Sequence, residues 1–175
     1  MRTITEAQPS DLDEIVQLVN TAYRSPEGWT NEAHLIEGQR TSHQDLEREL
    51  ASPEPTLILC LRETERGPIK ACVLLRHKSQ HLYLGMLSVA PESMNKGLGS
   101  QLLEHSEAYA RKHSADRIIL TVLHAREELI AWYGRQGYRR TGESIPFPYD
   151  NKGLGSPHRK DLTFIVLEKL LPAIK

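Results

Sequence analysis

Leu12, Ile15, Val16, Val19, Ala22 and Tyr23 recur at helical spacing. They form one apolar stripe, which predicts an amphipathic helix opening after Pro9 and Ser10. Ser10 and Asp13 read as its capping pair, and Ser25-Pro26-Glu27-Gly28 breaks it. Ahead of it, Met1 to Glu6 alternates weakly, as a short strand does. Trp29 to Glu37 and His43 to Leu50 read as two short helices joined by Gly38 to Ser42.

Thr56 to Arg62 and Ile69 to His77 are apolar strands around a Glu-Arg-Gly-Pro turn. Pairing Leu59 with Val73 puts Leu57, Leu59 and Leu61 beside Ala71, Val73 and Leu75 on one face, and Cys60 opposite Cys72. His81 to Val89 is a third strand. Gly85 in its middle marks a bulge or a close backbone approach. Leu98 to His113 reads as a helix, Arg117 to Val122 as a buried strand, and Arg126 to Gln136 as a helix ended by Gly137. Tyr138 to Glu143 and Leu162 to Leu170 are strands, and the Pro- and Gly-rich Ile145 to His158 is a loop. This alternation predicts a mixed α/β fold.

The 175 residues suit one domain over 1–175, and 39% hydrophobic with 26% charged residues excludes disorder. No apolar run approaches the ~20 residues of a membrane span, and the start Met1-Arg2-Thr3-Ile4-Thr5 lacks a signal core. Two cysteines make neither a disulfide framework nor a tetrahedral zinc site. The expectation is a reduced, cytoplasmic protein with free buried thiols. Among eight histidines, His77 and His81 flank a turn, and His105 and His113 lack a carboxylate partner, so no metal is expected. A net charge of −1 argues against a nucleic-acid partner. The halves differ: residues 1–90 hold 13 acids and 9 bases, and residues 91–175 hold 10 acids and 13 bases. One reading is chance; the other is an anionic ligand on the C-terminal half and a cationic one on the N-terminal half.

The informative stretch is Ser88-Val89-Ala90-Pro91-Glu92-Ser93-Met94-Asn95-Lys96-Gly97-Leu98-Gly99-Ser100, a strand that turns through glycines directly into a helix. Unpaired N–H groups and the positive helix end converge there, which suits a phosphate. An ordinary tight turn is the alternative. The spacing fits neither a Walker A loop nor the dinucleotide fingerprint. With these residues the chain resembles the GCN5-related N-acetyltransferases (GNAT), whose pyrophosphate loop reads Q/R-x-x-G-x-G/A. Met94 takes the first position, which loses a side-chain donor and keeps the backbone cradle. Leu129 to Tyr138 looks like the family's A-x-x-L-Y-E-K-x-G-F block.

The resemblance implies a mostly antiparallel central sheet, splayed at a bulge near Gly85, with helices on both faces. It implies an acetyl-CoA-dependent N-acetyltransferase acting on the primary amine of a small molecule. The alternatives are a protein N-terminal or lysine acetyltransferase and a non-catalytic acyl-CoA sensor. It assigns the cofactor to the backbone of Leu87, Ser88 and Val89, to Met94, Asn95, Lys96, Gly97, Leu98, Gly99 and Ser100, and to Arg126, which stands where relatives often carry Asn. It assigns the general acid to Tyr133, and it implies homodimers through the C-terminal strands. The splayed strand lacks the relatives' acid, since Met86 and Gly85 hold those positions. Glu32 is then the candidate base, or else a solvated helix residue. Trp29, Tyr83 and Tyr149 are the candidate acceptor residues, with packing as the alternative for Trp29 and Tyr149. An acidic mouth would favour a cationic amine.

Overall fold

The computed structural model describes residues 1–173, without the side chain of Lys152. Along the chain run β1 (Thr3–Glu6), α1 (Leu12–Arg24), β2 (Ile36–Glu37), α2 (His43–Leu50), β3 (Thr56–Arg62), β4 (Ile69–Lys78), β5 (His81–Val89), α3 (Leu98–Lys112), β6 (Arg117–Leu123), α4 (Glu127–Arg135), β7 (Arg139–Pro146), β8 (Ser156–Pro157) and β9 (Thr163–Leu170). Seven strands make one sheet in the order β1-β3-β4-β5-β6-β9-β7. All its neighbours are antiparallel except β5 and β6.

Strand alternation divides the core into two layers. Leu59, Leu61, Val73 and Leu75 face α3 and α4, where Leu98, Leu102, Leu103, Leu129 and Tyr133 cover them. Ile58, Cys60, Cys72 and Leu74 face the other way, under Ile15, Leu18 and Val19 of α1 and Leu46 of α2. Helices therefore lie on both faces, as expected. The predicted Leu59–Val73 register holds, and it sets Cys60 opposite Cys72 as two free, buried thiols.

Two features of β5 open the sheet. On β4, Cys72 pairs with Ser88 and Leu74 with Gly85, so two steps answer three, and β5 carries one extra residue. Met86 adopts φ +54° there, a left-handed conformation costing a non-glycine roughly 1–2 kcal/mol. Gly85 stays in register, so the bulge begins one residue past it. Second, β5 pairs with β6 only over His81–Tyr83 and Arg117–Ile119. Beyond that point the two strands part.

Three local expectations fail. Trp29 to Glu37 is not a helix. Instead Thr30 Oγ1 donates to Ala22 O (3.1 Å) and Glu32 N to Tyr23 O (2.7 Å), so the segment satisfies the orphan carbonyls at the end of α1. Its last residues form β2, which pairs with β8 inside the predicted loop. Pairing with β9 also carries β7 on to Pro146, past its predicted end. Before α1, a 3₁₀ turn at Pro9–Asp11 shifts the cap: Gln8 N donates to Asp11 Oδ2 at 2.8 Å, and Ser10 and Asp13 are not the pair.

Gly28 lets this segment lie against α1, because a Cβ there would stand 2.0 Å from Ala22 O. Gly28→Ala is therefore expected to destabilise by roughly 1–3 kcal/mol. Thermal denaturation should show a Tm lowered by roughly 3–10 °C; an unchanged Tm would mean that the segment is not anchored at this contact.

Candidate functional site

The parting of β5 and β6 leaves a cleft of about 310 Å³ between Gly85, Met86 and Leu87 on one side and Thr121, Val122 and Leu123 on the other. Tyr133 of α4 lines it, 5% exposed. Tyr138 N donates to Tyr133 O (3.0 Å) as Gly137 turns the chain at φ +95°, which fixes the end of the helix beneath it. Burial holds the Tyr133 hydroxyl well above the ordinary tyrosine value of 10.0; Tyr23, Tyr138 and Tyr83 add to this, and Arg126 opposes it. Its hydroxyl has no hydrogen-bond partner among the described residues, so Tyr133 is a protonated donor facing an open cleft.

A second cavity, of about 230 Å³, adjoins the first at Leu87. Its floor is the turn into α3, with Asn95 at φ +64° and Gly97 at φ +76°. None of the backbone N–H groups from Asn95 to Ser100 has an acceptor among the described residues. Five of these six residues, all but Lys96, line the cavity, together with the positive end of a 15-residue helix. Ser93 Oγ is buried in its wall with no hydrogen-bond partner among the described residues. Gly99 keeps the α3–α4 contact close, because a Cβ there would lie 3.3 Å from the Trp132 ring.

The family model described as "Acetyltransferase (GNAT) family" matches residues 12–138. The chain belongs to the GNAT acetyltransferases. Acetyl transfer, in that general sense, is its chemistry. No curated protein matches the sequence. Among solved structures, the ribosomal-protein-S18-alanine N-acetyltransferase of Escherichia coli is similar in fold, with a TM-score of 0.71 at 18% identity, covering 100% of this chain and 97% of that one. An N-acetyltransferase from Staphylococcus aureus Mu50 gives 0.72 at 16% identity, covering 98% of each chain. An IAA acetyltransferase from Bacillus cereus ATCC 14579 gives 0.69 at 14% identity, covering 98% of this chain and 100% of that one.

Within this GNAT frame several expected site residues move. Met94, Asn95, Gly97, Leu98, Gly99, Ser100, Leu87 and Val89 do line the second cavity, whereas Lys96 turns away to Glu63 at 3.4 Å. The Ser88 side chain is fully buried and donates to Met86 O (2.9 Å), leaving only its backbone on the strand edge. Trp29 stands not at the acceptor side but in the second cavity, edge-on to Trp132 at 5.4 Å. Tyr149 is absent from both cavities; its hydroxyl accepts from Leu162 N (2.8 Å) and donates to Arg159 O (3.0 Å), and Phe147 lines the cleft in its place. Tyr83 lines the cleft. Cys60 and Cys72 line neither cavity, and burial pushes both thiols up, Cys60 to about 12.

Arg126 and Glu32 change role. Arg126 Nη1 donates to Thr30 O (2.7 Å) and lies 3.9 Å from Glu32 Oε2. Glu32 Oε1 accepts from Arg24 Nε (3.2 Å) and Nη2 (3.1 Å). Glu32 is thus the anion that holds two buried guanidiniums together, and Arg126 joins the start of α4 to the 29–32 segment instead of reaching the cradle. The mouth is not acidic either: Arg24, Arg40 and Arg126 share the cleft lining with Glu32 and Glu49. Tyr23, Arg24, Arg40, Trp132 and Arg135 are site residues that sequence reasoning missed. Arg135 alone carried a signal, three residues after Trp132 on the same helix face.

Glu32→Ala would strand Arg24, whose side chain is 6% exposed. The expected cost is about 3–5 kcal/mol. Denaturant unfolding tests this; a variant as stable as the parent would show that Glu32 is free for catalysis after all.

Proposed function

We propose that the protein moves the acetyl group of acetyl-CoA directly to the primary amine of a small molecule. The observation that carries this reading is the parting of β5 from β6 between two adjoining cavities, one offering free N–H donors and the other a buried tyrosine hydroxyl. Bound acetyl-CoA supplies an activated thioester. The residues present fit it. The N–H groups of residues 95–100 and the orphaned Ser93 Oγ suit a pyrophosphate, and the edge of β5 that β6 leaves open from Leu84 to Val89 suits an amide-bearing arm.

The net reaction forms an N–C bond, breaks a C–S bond and moves one proton from nitrogen to sulfur. Tyr133 holds the proton for the sulfur. Its raised pKa keeps it protonated at neutral pH. A free thiol has a pKa of roughly 8.5, so delivery from a tyrosine runs uphill in water. Burial raises the phenol and the thiol alike, so proton delivery is expected to accompany C–S cleavage and not to rest on a favourable difference in acidity. For the amine, no unpaired carboxylate of the described residues lines the cleft, since Glu32 pairs with Arg24 and Glu49 with Arg76. The surrounding guanidiniums themselves disfavour an ammonium ion and so favour the neutral nucleophile.

Titration calorimetry with acetyl-CoA should give micromolar binding, and amine-dependent thiol release should follow. Tyr133→Phe is expected to cut turnover ten-fold or more while acetyl-CoA still binds. Gly97→Val should abolish binding, because a β-branched residue resists φ +76° and its side chain enters the open cradle. Binding without any turnover across an amine panel would favour an acyl-CoA sensor instead.

A further inference from the structure

The acceptor side of the cleft carries more positive charge than its own carboxylates neutralise. A neighbouring cavity of about 450 Å³ shares Arg40, Glu49, Tyr83, Gly85, Met86 and Leu154 with the cleft. Six cations line the two together: Arg24, Arg40, Arg48, Arg76, Lys78 and Arg126. Three carboxylates face them, and each is already engaged: Glu32 with Arg24 and Arg126, Asp45 with Arg48 at 3.3 Å, and Glu49 with Arg76. Among the described residues, Arg40 and Lys78 have no carboxylate within 4.0 Å, and of the two only Arg40 lines both cavities.

Arg40 is also held ready. Asn20 Oδ1 accepts from Arg40 N (2.7 Å) and Thr41 N (3.1 Å), and Asn20 Nδ2 donates to Thr41 O (3.0 Å), so α1 clamps the backbone that carries it. Its guanidinium lies over the Tyr23 ring, 5.4 Å from the centroid. The hydroxyl of that same ring donates to Leu87 O (3.1 Å), at the bulge of β5. One tyrosine thus separates an uncompensated cation from the strand where the cavities meet. Ile36, Phe147, Leu154 and Phe164 give the wall apolar stretches beside these charges.

We infer that the acceptor is an amino acid: a small primary amine whose own carboxylate pairs with Arg40 while the amine reaches β5 at Leu87. This rests on the acetyl-transfer reading and deepens it. It reverses the cationic amine that an acidic mouth would have favoured. Arg40 is a specificity determinant here; it touches the carboxylate and not the reacting nitrogen. A guanidinium matches a carboxylate through two parallel N–H donors, which is what distinguishes it from a lysine at the same place.

The experiment sets each common L-amino acid against its decarboxylated amine, phenylalanine against phenethylamine among them, with thiol release as the readout. The acid of the productive pair should show at least ten-fold higher kcat/KM. Arg40→Gln should erase that ratio, and Arg40→Lys should restore part of it, while acetyl-CoA binding by Arg40→Gln shows the variant folded. Calorimetry with the N-acetyl amino acids, which needs no turnover, should show binding that weakens ten-fold or more in Arg40→Gln. A preference for the amines, an unchanged ratio in Arg40→Gln, or no carboxylate in the panel that binds or reacts overturns the inference. Arg40-dependent binding of the N-acetyl acids without acetyl-CoA binding would keep the anion site and sink the transfer reading.

Discussion

One extra residue in β5 governs the site. Because β5 must pass Met86 and Leu87 where β4 offers only Val73, the strand bends, and its parallel contact with β6 ends after three residue pairs. The backbone polar groups that face the gap beyond that point have no ladder to join. Everything chemical sits around this gap. Tyr133 and the cations line its acceptor side, the turn into α3 lies at its other end, and Leu87 belongs to both cavities. The strained conformation of Met86 persists because its neighbours over-determine it: Met86 is 7% exposed within the α1 layer, and its carbonyl accepts from Ser88.

The second constraint is electrostatic. Arg24, Glu32 and Arg126 come from the end of α1, the segment after it and the start of α4, and together they tie one wall of the cleft to the other. Burying three charges is costly, and hydrophobic replacements would often be as stable. What the cluster does is locate. Arg126 donates to Thr30 O, one residue from Trp29 in the second cavity and two from Glu32 in the first. Acceptor and donor sites therefore share a short stretch of backbone.

Local patterns carried the elements well. The stripe from Leu12 to Tyr23, the Leu59–Val73 register and the strand–glycine–helix turn at 88–100 all depend on near neighbours or on a single hairpin, and all are present in the fold. The segment from Trp29 to Glu37 was opaque because the bonds that anchor it, from Thr30 and Glu32, run to the end of α1, while its internal bonds from Leu35 and Ile36 to Glu32 O close only a single turn. The charge of the acceptor side was opaque for a related reason. The N-terminal half is acidic in total, yet the fold gathers Arg24, Arg40, Arg48, Arg76 and Lys78 from four separate places in that half around the cleft and its neighbouring cavity. Net charge counts residues; a pocket selects among them. Tyr149 and Arg126 misled in the opposite way, since both residue types suit a site but here satisfy backbone carbonyls or amides.

The gap between β5 and β6 has one further effect, on solubility. An unpaired strand edge is ordinarily a template on which other chains add strands and aggregate, and proteins blunt it with charge, bulges or cover. Here two such edges face each other between the fourth and fifth of seven strands, not at the rim of the sheet. A foreign strand cannot approach them side-on, because β1, β3 and β4 flank one edge and β9 and β7 the other. The protein thus keeps exposed main-chain hydrogen-bonding capacity where a slender molecule can use it and a second polypeptide sheet cannot.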